Sequence, residues 1–361
     1  MATIFLKELS NIDLDWLIAT GQQRRVAAHT TLLQARQEPE SFSLLLDGVL
    51  SLSIPQDSCD GENTSTNTDQ EIIQFSRGEV IGETPLLSLH PANVVVKAAK
   101  DSIVLSILQS QLIAKLQQDL NFSTHFYRAI ALILSARLQQ VLAMPNQLRA
   151  ATNQPVKEAL LIFGELRDSD VDWLMTTGHL EKVPAGKILV QAGRPLDALY
   201  FVLDGRLSVG ICQEETHPLM LCFECAEETA TAQKVLGYLS RGEMSGASHF
   251  LEFSPAPVTV RAVSESLVLS IPRSQLVTKL QQDMGFASRF YRVLATQLAE
   301  NWQTVIGLMG CPQQVYHQAE TMGDGMDNDI QYDDELNLDS LAQVAQGAAR
   351  FNWMLKQLGV V

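Results

Sequence analysis

The 361-residue chain has no run of 18 apolar residues, so no segment has the length and character of a membrane-spanning helix. Its start, Met1-Ala2-Thr3-Ile4-Phe5-Leu6-Lys7-Glu8, turns charged before an apolar region develops. That pattern argues against a secretory signal and sets a cytoplasmic location as the expectation. Positive charge is scarce: 26 Lys and Arg stand against 41 Asp and Glu, for a net charge of −15. A DNA-binding surface clusters cations to displace phosphate counterions. No basic stripe appears here, so DNA is not an expected partner. G-x-S-x-G, the P-loop lysine motif and histidines at metal-ligand spacing are all missing, which points away from an enzyme and from a metal site. The five cysteines, Cys59, Cys212, Cys222, Cys225 and Cys311, are odd in number. They read as reduced thiols rather than a disulfide scaffold. The lone Cys222-x-x-Cys225 lacks the second ligand pair that zinc requires.

What the chain does have is a second copy of itself. Asp13-Leu14-Asp15-Trp16-Leu17 aligns with Asp170-Val171-Asp172-Trp173-Leu174 at an offset of 157, which holds through Leu46-Asp47-Gly48 against Leu203-Asp204-Gly205. The offset then becomes 164. Ser76-Arg77-Gly78-Glu79 meets Ser240-Arg241-Gly242-Glu243, and Lys115-Leu116-Gln117-Gln118-Asp119 meets Lys279-Leu280-Gln281-Gln282-Asp283. Phe126-Tyr127-Arg128 falls on Phe290-Tyr291-Arg292. A unit this long is a duplicated domain, not a solenoid repeat. None of the cysteines has a counterpart in the other copy. The copies differ in length at two unrelated polar or mixed tips, Pro55 to Gln70 and Gln213 to Thr231, which read as surface insertions.

Each copy opens with a short helix, which Asn11 or Asp13 caps in the first and Asp168 or Asp170 in the second. Short runs rich in Val, Ile and Leu follow between turn signals, among them Val49-Leu50-Ser51-Leu52-Ser53-Ile54 and Ile103-Val104-Leu105-Ser106-Ile107. Such runs predict a sandwich or jelly roll. A long helix closes the unit, with Phe122, Phe126, Ile130, Leu134, Leu138 and Leu142 at helical spacing and Ser123 and Ser288 near the helix starts as caps. Tyr127 and Tyr291 are expected to be structural contacts of these helices. The fold class is therefore α+β: two tandem β-roll (jelly-roll) domains, each flanked by helices, plus a C-terminal amphipathic helix. The expected limits are residues 1–143 for the first domain, 144–157 for a linker, 158–308 for the second domain, 309–336 for an acidic linker and 337–361 for the helix.

Three motifs carry a family resemblance. One is the glycine after a strand in Leu46-Asp47-Gly48-Val49-Leu50 and Leu203-Asp204-Gly205-Arg206-Leu207. Another is Arg77-Gly78-Glu79-Val80-Ile81-Gly82-Glu83. The last is Pro91-Ala92-Asn93-Val94-Val95-Val96-Lys97-Ala98, matched by Pro255-Ala256-Pro257-Val258-Thr259-Val260-Arg261-Ala262. Together they resemble the cyclic nucleotide-binding domain family, which includes the catabolite activator protein and the regulatory subunit of cAMP-dependent protein kinase. The resemblance spans roughly residues 10–142 and 166–306.

In that family a cassette holds the cyclic phosphate on a short helix N-terminus and one arginine, while a glutamate accepts the ribose 2′-hydroxyl. A buried monoanion needs such N–H groups and a bidentate cation. The resemblance therefore implies ligand sites, weak or vestigial, at Gly82, Glu83, Thr84, Ala92 and Asn93, and at Gly246, Ala247, Ser248 and Ala256. The family arginine falls on Ala92 and on Ala256, and the second glutamate is Ala247. Loss of one partner of a buried charge pair costs about 2–5 kcal/mol, or roughly thirty- to several-thousand-fold in affinity. Lys97, Arg77 and His90 are the cations near enough in sequence to substitute. Glu83 itself reads either as a ribose acceptor or as a helix cap or solvated side chain.

In the tail, Asp324-Gly325-Met326-Asp327-Asn328-Asp329 has its glycine misplaced for an EF-hand and reads as acidic linker. Beyond it Leu341, Ala348, Phe351, Leu355 and Leu358 mark one apolar face of a helix, with Lys356 in its last turn and Gly359 ending it. That face docks on the second domain of its own chain or captures a protein partner or a twin subunit. The expected function is a non-enzymatic regulatory or adaptor protein that binds cAMP weakly or not at all and acts through protein partners. The alternative is a genuine sensor of a cyclic nucleotide or another small ligand in the first domain. No cofactor is called for; cAMP or cGMP remains the open ligand.

Overall fold

A computed structural model describes residues 4–55, 70–87, 93–144, 161–212, 233–251, 255–309 and 338–360. Both insertion tips, His90, Ala92, the residues joining the copies and nearly all of the acidic linker fall outside the described residues.

The first copy starts with α1 (Ile4–Glu8) and α2 (Asn11–Thr20). Eight strands follow: β1 (Gln22–Val26), β2 (Thr31–Leu33), β3 (Ser41–Asp47), β4 (Leu50–Ile54), β5 (Gln70–Phe75), β6 (Val80–Ile81), β7 (Val95–Ala98) and β8 (Ser102–Leu108). Helices α3 (Gln109–Gln118) and α4 (Leu120–Leu142) close the unit. The second copy repeats the series as α5 (Leu161–Glu165), α6 (Asp168–Thr177), β9 (His179–Val183), β10 (Ile188–Val190), β11 (Ala198–Asp204) and β12 (Leu207–Cys212). It continues through β13 (Gln233–Leu239), β14 (Met244–Ser245), α7 (Ala247–Phe250), β15 (Thr259–Ala262), β16 (Ser266–Pro272), α8 (Arg273–Gln282) and α9 (Met284–Met309). A terminal helix, α10, spans Leu338–Gln357.

The strands pair antiparallel in four sheets: β1-β8-β3-β6 faces β2-β7-β4-β5 in the first copy, and the second copy has the same orders, β9-β16-β11-β14 and β10-β15-β12-β13. Alternating Val, Ile and Leu side chains fill each roll, Leu50, Leu52 and Val96 in the first and Leu207, Val202 and Val260 in the second. The glycine of the first shared motif has φ +100° at Gly48 and +89° at Gly205. A Cβ there would strike the Ser102 or Ser266 hydroxyl, so the tight β3–β4 and β11–β12 turns need glycine.

The caps differ from those expected. Ser10 precedes α2, its Oγ accepting the Asp13 N–H at 3.2 Å while Asp13 accepts the Ser10 N–H at 2.8 Å, a reciprocal capping box. In the second copy Arg167 has no acceptor to offer, and only the Asp170 half of the box survives, accepting the Arg167 N–H at 2.8 Å. For the long helices the caps are Asp119 and Asp283, whose Oδ1 atoms accept the N–H of Phe122 at 3.0 Å and of Phe286 at 2.9 Å. Lys115 and Lys279 each grip the other carboxylate oxygen at 2.8 Å, which explains the repeated Lys-Leu-Gln-Gln-Asp string.

Ser123 and Ser288, expected as caps, instead touch each other at 2.7 Å across the boundary between the copies. Helices α4 and α9 lie side by side and parallel, since their starts meet at these serines and their ends, Leu142 and Val305, border one cavity. Tyr127 sits against Arg292 at 5.8 Å and Tyr291 faces Arg128, so the repeated Phe-Tyr-Arg triplets clasp reciprocally. Burial raises the pKa of both tyrosines. The arginines are held in turn by Glu8 at 3.2 Å and Glu165 at 3.1 Å, from α1 and α5. These tyrosines are structural contacts, as expected.

Helix α10 packs on α5 and α6 of its own chain. Phe351, Met354 and Leu355 are buried, and the Phe163 and Phe351 rings stand 4.9 Å apart. Arg350 binds Asp168 at 2.7 Å and the Phe163 and Gly164 carbonyls. Of the residues assigned to partner docking, Phe351 and Leu355 are thus consumed internally, and Ala348 and Leu358 are half-buried. The side chain of Leu341 lies outside the described residues.

Asp119→Ala and Asp283→Ala should each cost about 1 kcal/mol, as capping losses do. Lysine contact, then the cap N–H, holds each carboxyl below its ordinary pKa. A depressed pKa gives stability that is complete above the unfolded value, about 3.9, and lost as pH falls through the folded one. Thermal melts of wild type and both variants should therefore differ near pH 7 and converge in acid, as the pH falls through the depressed folded values. Curves that stay apart in acid would show that ionisation of these caps is irrelevant.

Candidate functional site

In the first copy, β6 is followed by Gly82, whose φ of +84° turns the chain past the Ser41 carbonyl, 2.7 Å from where a Cβ would sit. Glu83 follows, at the start of a 3-10 turn, Thr84–Leu86. Its side chain neither caps that turn nor reaches solvent: it is 3% exposed and bonded to Nη1 of Arg137, which is equally buried. Arg137 comes from α4, donates its other terminal nitrogen to the Val80 carbonyl at 2.6 Å and lies over the Phe75 ring at 4.6 Å. A carboxylate and a guanidinium can be buried together because each offsets the other's desolvation penalty; the carbonyl and ring add contacts to the cation, whose Nε is buried without a partner among the described residues. Both expectations for an unliganded Glu83, a cap or a solvated side chain, are corrected by this ion pair.

The remaining first-copy positions divide. Thr84 is buried, and Asn93 Oδ1 is buried without a hydrogen-bond partner among the described residues. Lys97 lies on the half-exposed face of β7, opposite the inward Val96 and Ala98, and Arg77 is exposed in the turn before β6. Neither shares the buried setting of Glu83. The cation beside Glu83 is Arg137, remote in sequence. A trace of it existed in the internal alignment: at the 164 offset, Glu83 becomes Ala247 and Arg137 becomes Asn301, so acid and base disappear together.

In the second copy Gly246, φ +99°, turns into α7 and Ala247 is 3% exposed. Ala256 is equally buried, with its N–H on the Arg194 carbonyl at 2.9 Å and its carbonyl receiving Gly193 at 2.8 Å. It is a packed backbone bridge. The side chain of Ser248 lies outside the described residues. Arg273 points its Nη2 at the Phe250 carbonyl, 2.6 Å away, and burial lowers its pKa. Beside Gly246 and Ala247 lies a half-open cavity of about 110 Å³, bordered by Asn301 of α9 and by Leu138 and Leu142 of α4. Among the described residues no cluster of His, Cys, Asp and Glu could hold a metal ion, and no helix is long and apolar enough to cross a membrane.

A family model described as the cyclic nucleotide-binding domain matches residues 23–119 and again residues 180–283. Among solved structures the chain is similar to the regulatory domain of a Toxoplasma gondii PKA with cAMP, at 15% identity and a TM-score of 0.28, covering 78% of this chain and 89% of that one. It is also similar to a regulatory subunit of a cAMP-independent protein kinase A from Trypanosoma cruzi bound to guanosine, at 13% identity and a TM-score of 0.27, covering 79% and 85%. The N-terminal domain of a transcriptional regulator from Streptomyces coelicolor matches at 19% identity and a TM-score of 0.31, over 39% of this chain and 87% of that one. No curated protein matches.

The buried pair makes a measurable claim. Glu83→Ala and Arg137→Asn should each destabilise by about 3–5 kcal/mol, since each strands a buried charge. The double variant, which reproduces the second copy, should lose less than the sum by at least about 1 kcal/mol. Additive losses in urea denaturation would mean that the two side chains are not energetically coupled.

Proposed function

We propose, from the premise that this chain belongs to the cyclic nucleotide-binding domain family, that it is a non-enzymatic regulatory or adaptor protein. It acts in the cytoplasm through protein partners, and its two cassettes are degenerate, binding cAMP and cGMP weakly or not at all. One observation carries the reading: Glu83 is already satisfied by Arg137, and no charged side chain lines the second pocket. Neither copy keeps an arginine at the cassette position, Ala92 in one and Ala256 in the other. A cyclic phosphate would enter the second pocket with its charge uncompensated by any described side chain, and that is unfavourable.

A second reading keeps the first domain as a sensor. It is favoured by the retained Gly82-Glu83 and by the unpartnered Asn93 oxygen, an acceptor that a ligand donor would satisfy. In either case a partner role for α10 requires its release, because Phe351 and Leu355 are buried on the second domain.

Calorimetry of the full-length protein with cAMP and cGMP separates the two readings. No saturable heat is expected below about 10 μM nucleotide, given the lost charge pair; binding in that range would make the protein a sensor. Ala92→Arg should recover more affinity than Ala256→Arg, because only the first domain retains the glutamate. A separate test addresses the terminal helix. Leu355→Asp sets a charge at a fully buried position and should lower thermal stability by about 3 kcal/mol or more. An unchanged melt would mean that α10 does not brace the second domain in solution.

A further inference from the structure

We infer that the second domain carries a binding site for a small, uncharged, apolar molecule about the size of one six-membered ring. Its place is the cavity between the second β-roll and helix α4 of the first domain. The walls include Val209, Leu239, Ala247, Val260 and Asn301, with Leu138 reaching in from the first domain.

The duplication explains why the cavity exists. Strand pairing has the same register in both copies, Leu50 opposite Phe75 and Leu207 opposite Leu239, Leu52 opposite Ile73 and Val209 opposite Gly237. Positions related by the offset can therefore be compared directly. Four side chains that surround or fill this space in the first copy are Ile73, Phe75, Glu83 and Arg137. Their counterparts are Gly237, Leu239, Ala247 and Asn301, every one smaller, and the two ionic residues have become neutral. In the first copy Arg137 lies on Phe75 and binds Glu83, so these larger side chains occupy the corresponding place. In the second copy the same volume is open.

The chemistry of the occupant follows from the walls. Among the described residues they hold no charged side chain, so a cyclic nucleotide, or any other anion, would find no counterion on these walls. The cavity is half-open, and its volume of about 110 Å³ encloses no more than one ring, less than a purine with its sugar phosphate. A comparable void of about 150 Å³ walled by aliphatic and aromatic side chains stays dry and takes up benzene. Gln139, Tyr238, Ser245 and Thr304 add polar groups to mainly apolar walls, and the amide of Asn301, whose oxygen meets Gln297 only at 3.4 Å, offers the occupant a further polar contact. Because α4 supplies part of the wall, an occupant touches both domains, and filling the site would tighten the α4–α9 seam.

The test uses the full-length protein and benzene as probe. Millimolar benzene should raise the melting temperature saturably, by about 2–4 °C at tenfold saturation or more. Leu239→Phe, which restores the first copy's bulk, should abolish the shift; should that variant fail to fold, Ala247→Val serves the same purpose. Absence of a shift in wild type overturns the inference. So does an equal shift in a folded, cavity-filled variant, since benzene would then be binding elsewhere. Cyclic-nucleotide calorimetry is unaffected by either result, so the two readings fail independently.

Discussion

Helices α4 and α9 are buried along most of their length, at Phe122, Ile130 and Leu134 in one and Phe286, Leu294 and Leu298 in the other, so neither is covered by its own β-roll alone. A helix of that kind needs a second wall. Each long helix supplies the other's, with Phe126 and Phe290 turned toward their own domains and Ser123 and Ser288 meeting between them. The caps at Asp119 and Asp283 set where each helix starts, and the Tyr127–Arg292 contact with its mirror at Tyr291 and Arg128 sets how the two align. Glu8 and Glu165 extend the grip to the leading helices. One of those, α5, then supplies the platform for α10. Remove the seam, and the order of the outer pieces loses its reference.

Around that seam the copies have been conserved unequally. Polar contacts that shape the backbone recur almost atom for atom: Glu79 on the Ser76 N–H at 2.8 Å and Glu243 on the Ser240 N–H at 2.6 Å, or Asp13 with His125 and Asp170 with Arg289. Side chains facing the pockets do not recur. The physical reason lies in what each loss would cost. A turn contact fixes chain direction, so its removal misplaces a whole strand. The Glu83–Arg137 pair ties α4 to β5 and β6 but sets no chain direction, so it is replaceable provided both members go together.

The repeat, the strand runs and the long helices were legible because duplication displays the periodic residues twice. The glycine at Gly48 and Gly205 could be read for the same reason: a required positive φ leaves only one residue type. The caps were harder. Ser10, Asp119 and Asp283 stand one or more residues before the first apolar position, and nearby Ser or Asp residues compete for the role on composition alone. Arg137 was missed because it sits in the middle of an apolar helix, 54 residues from its partner, where proximity along the chain gives no hint. The pairing of α4 with α9 was missed for a related reason, since an apolar row at helical spacing says that it is covered without saying by what. The helix face at Phe351 and Leu355 was visible, yet two coverings satisfied it equally until α5 was seen beneath it.

The seam between α4 and α9 has the near-twofold form of a dimer contact, but both sides belong to one covalent strand. Two consequences separate it from an assembly of identical subunits. Its halves meet at an effective concentration set by their tether, so dilution does not part them. In a homodimer, moreover, any substitution is entered on both sides at once, whereas here each half has its own codons. Glu83 with Arg137 on one side, and Ala247 with Asn301 on the other, is a combination that no symmetric pair of chains can hold.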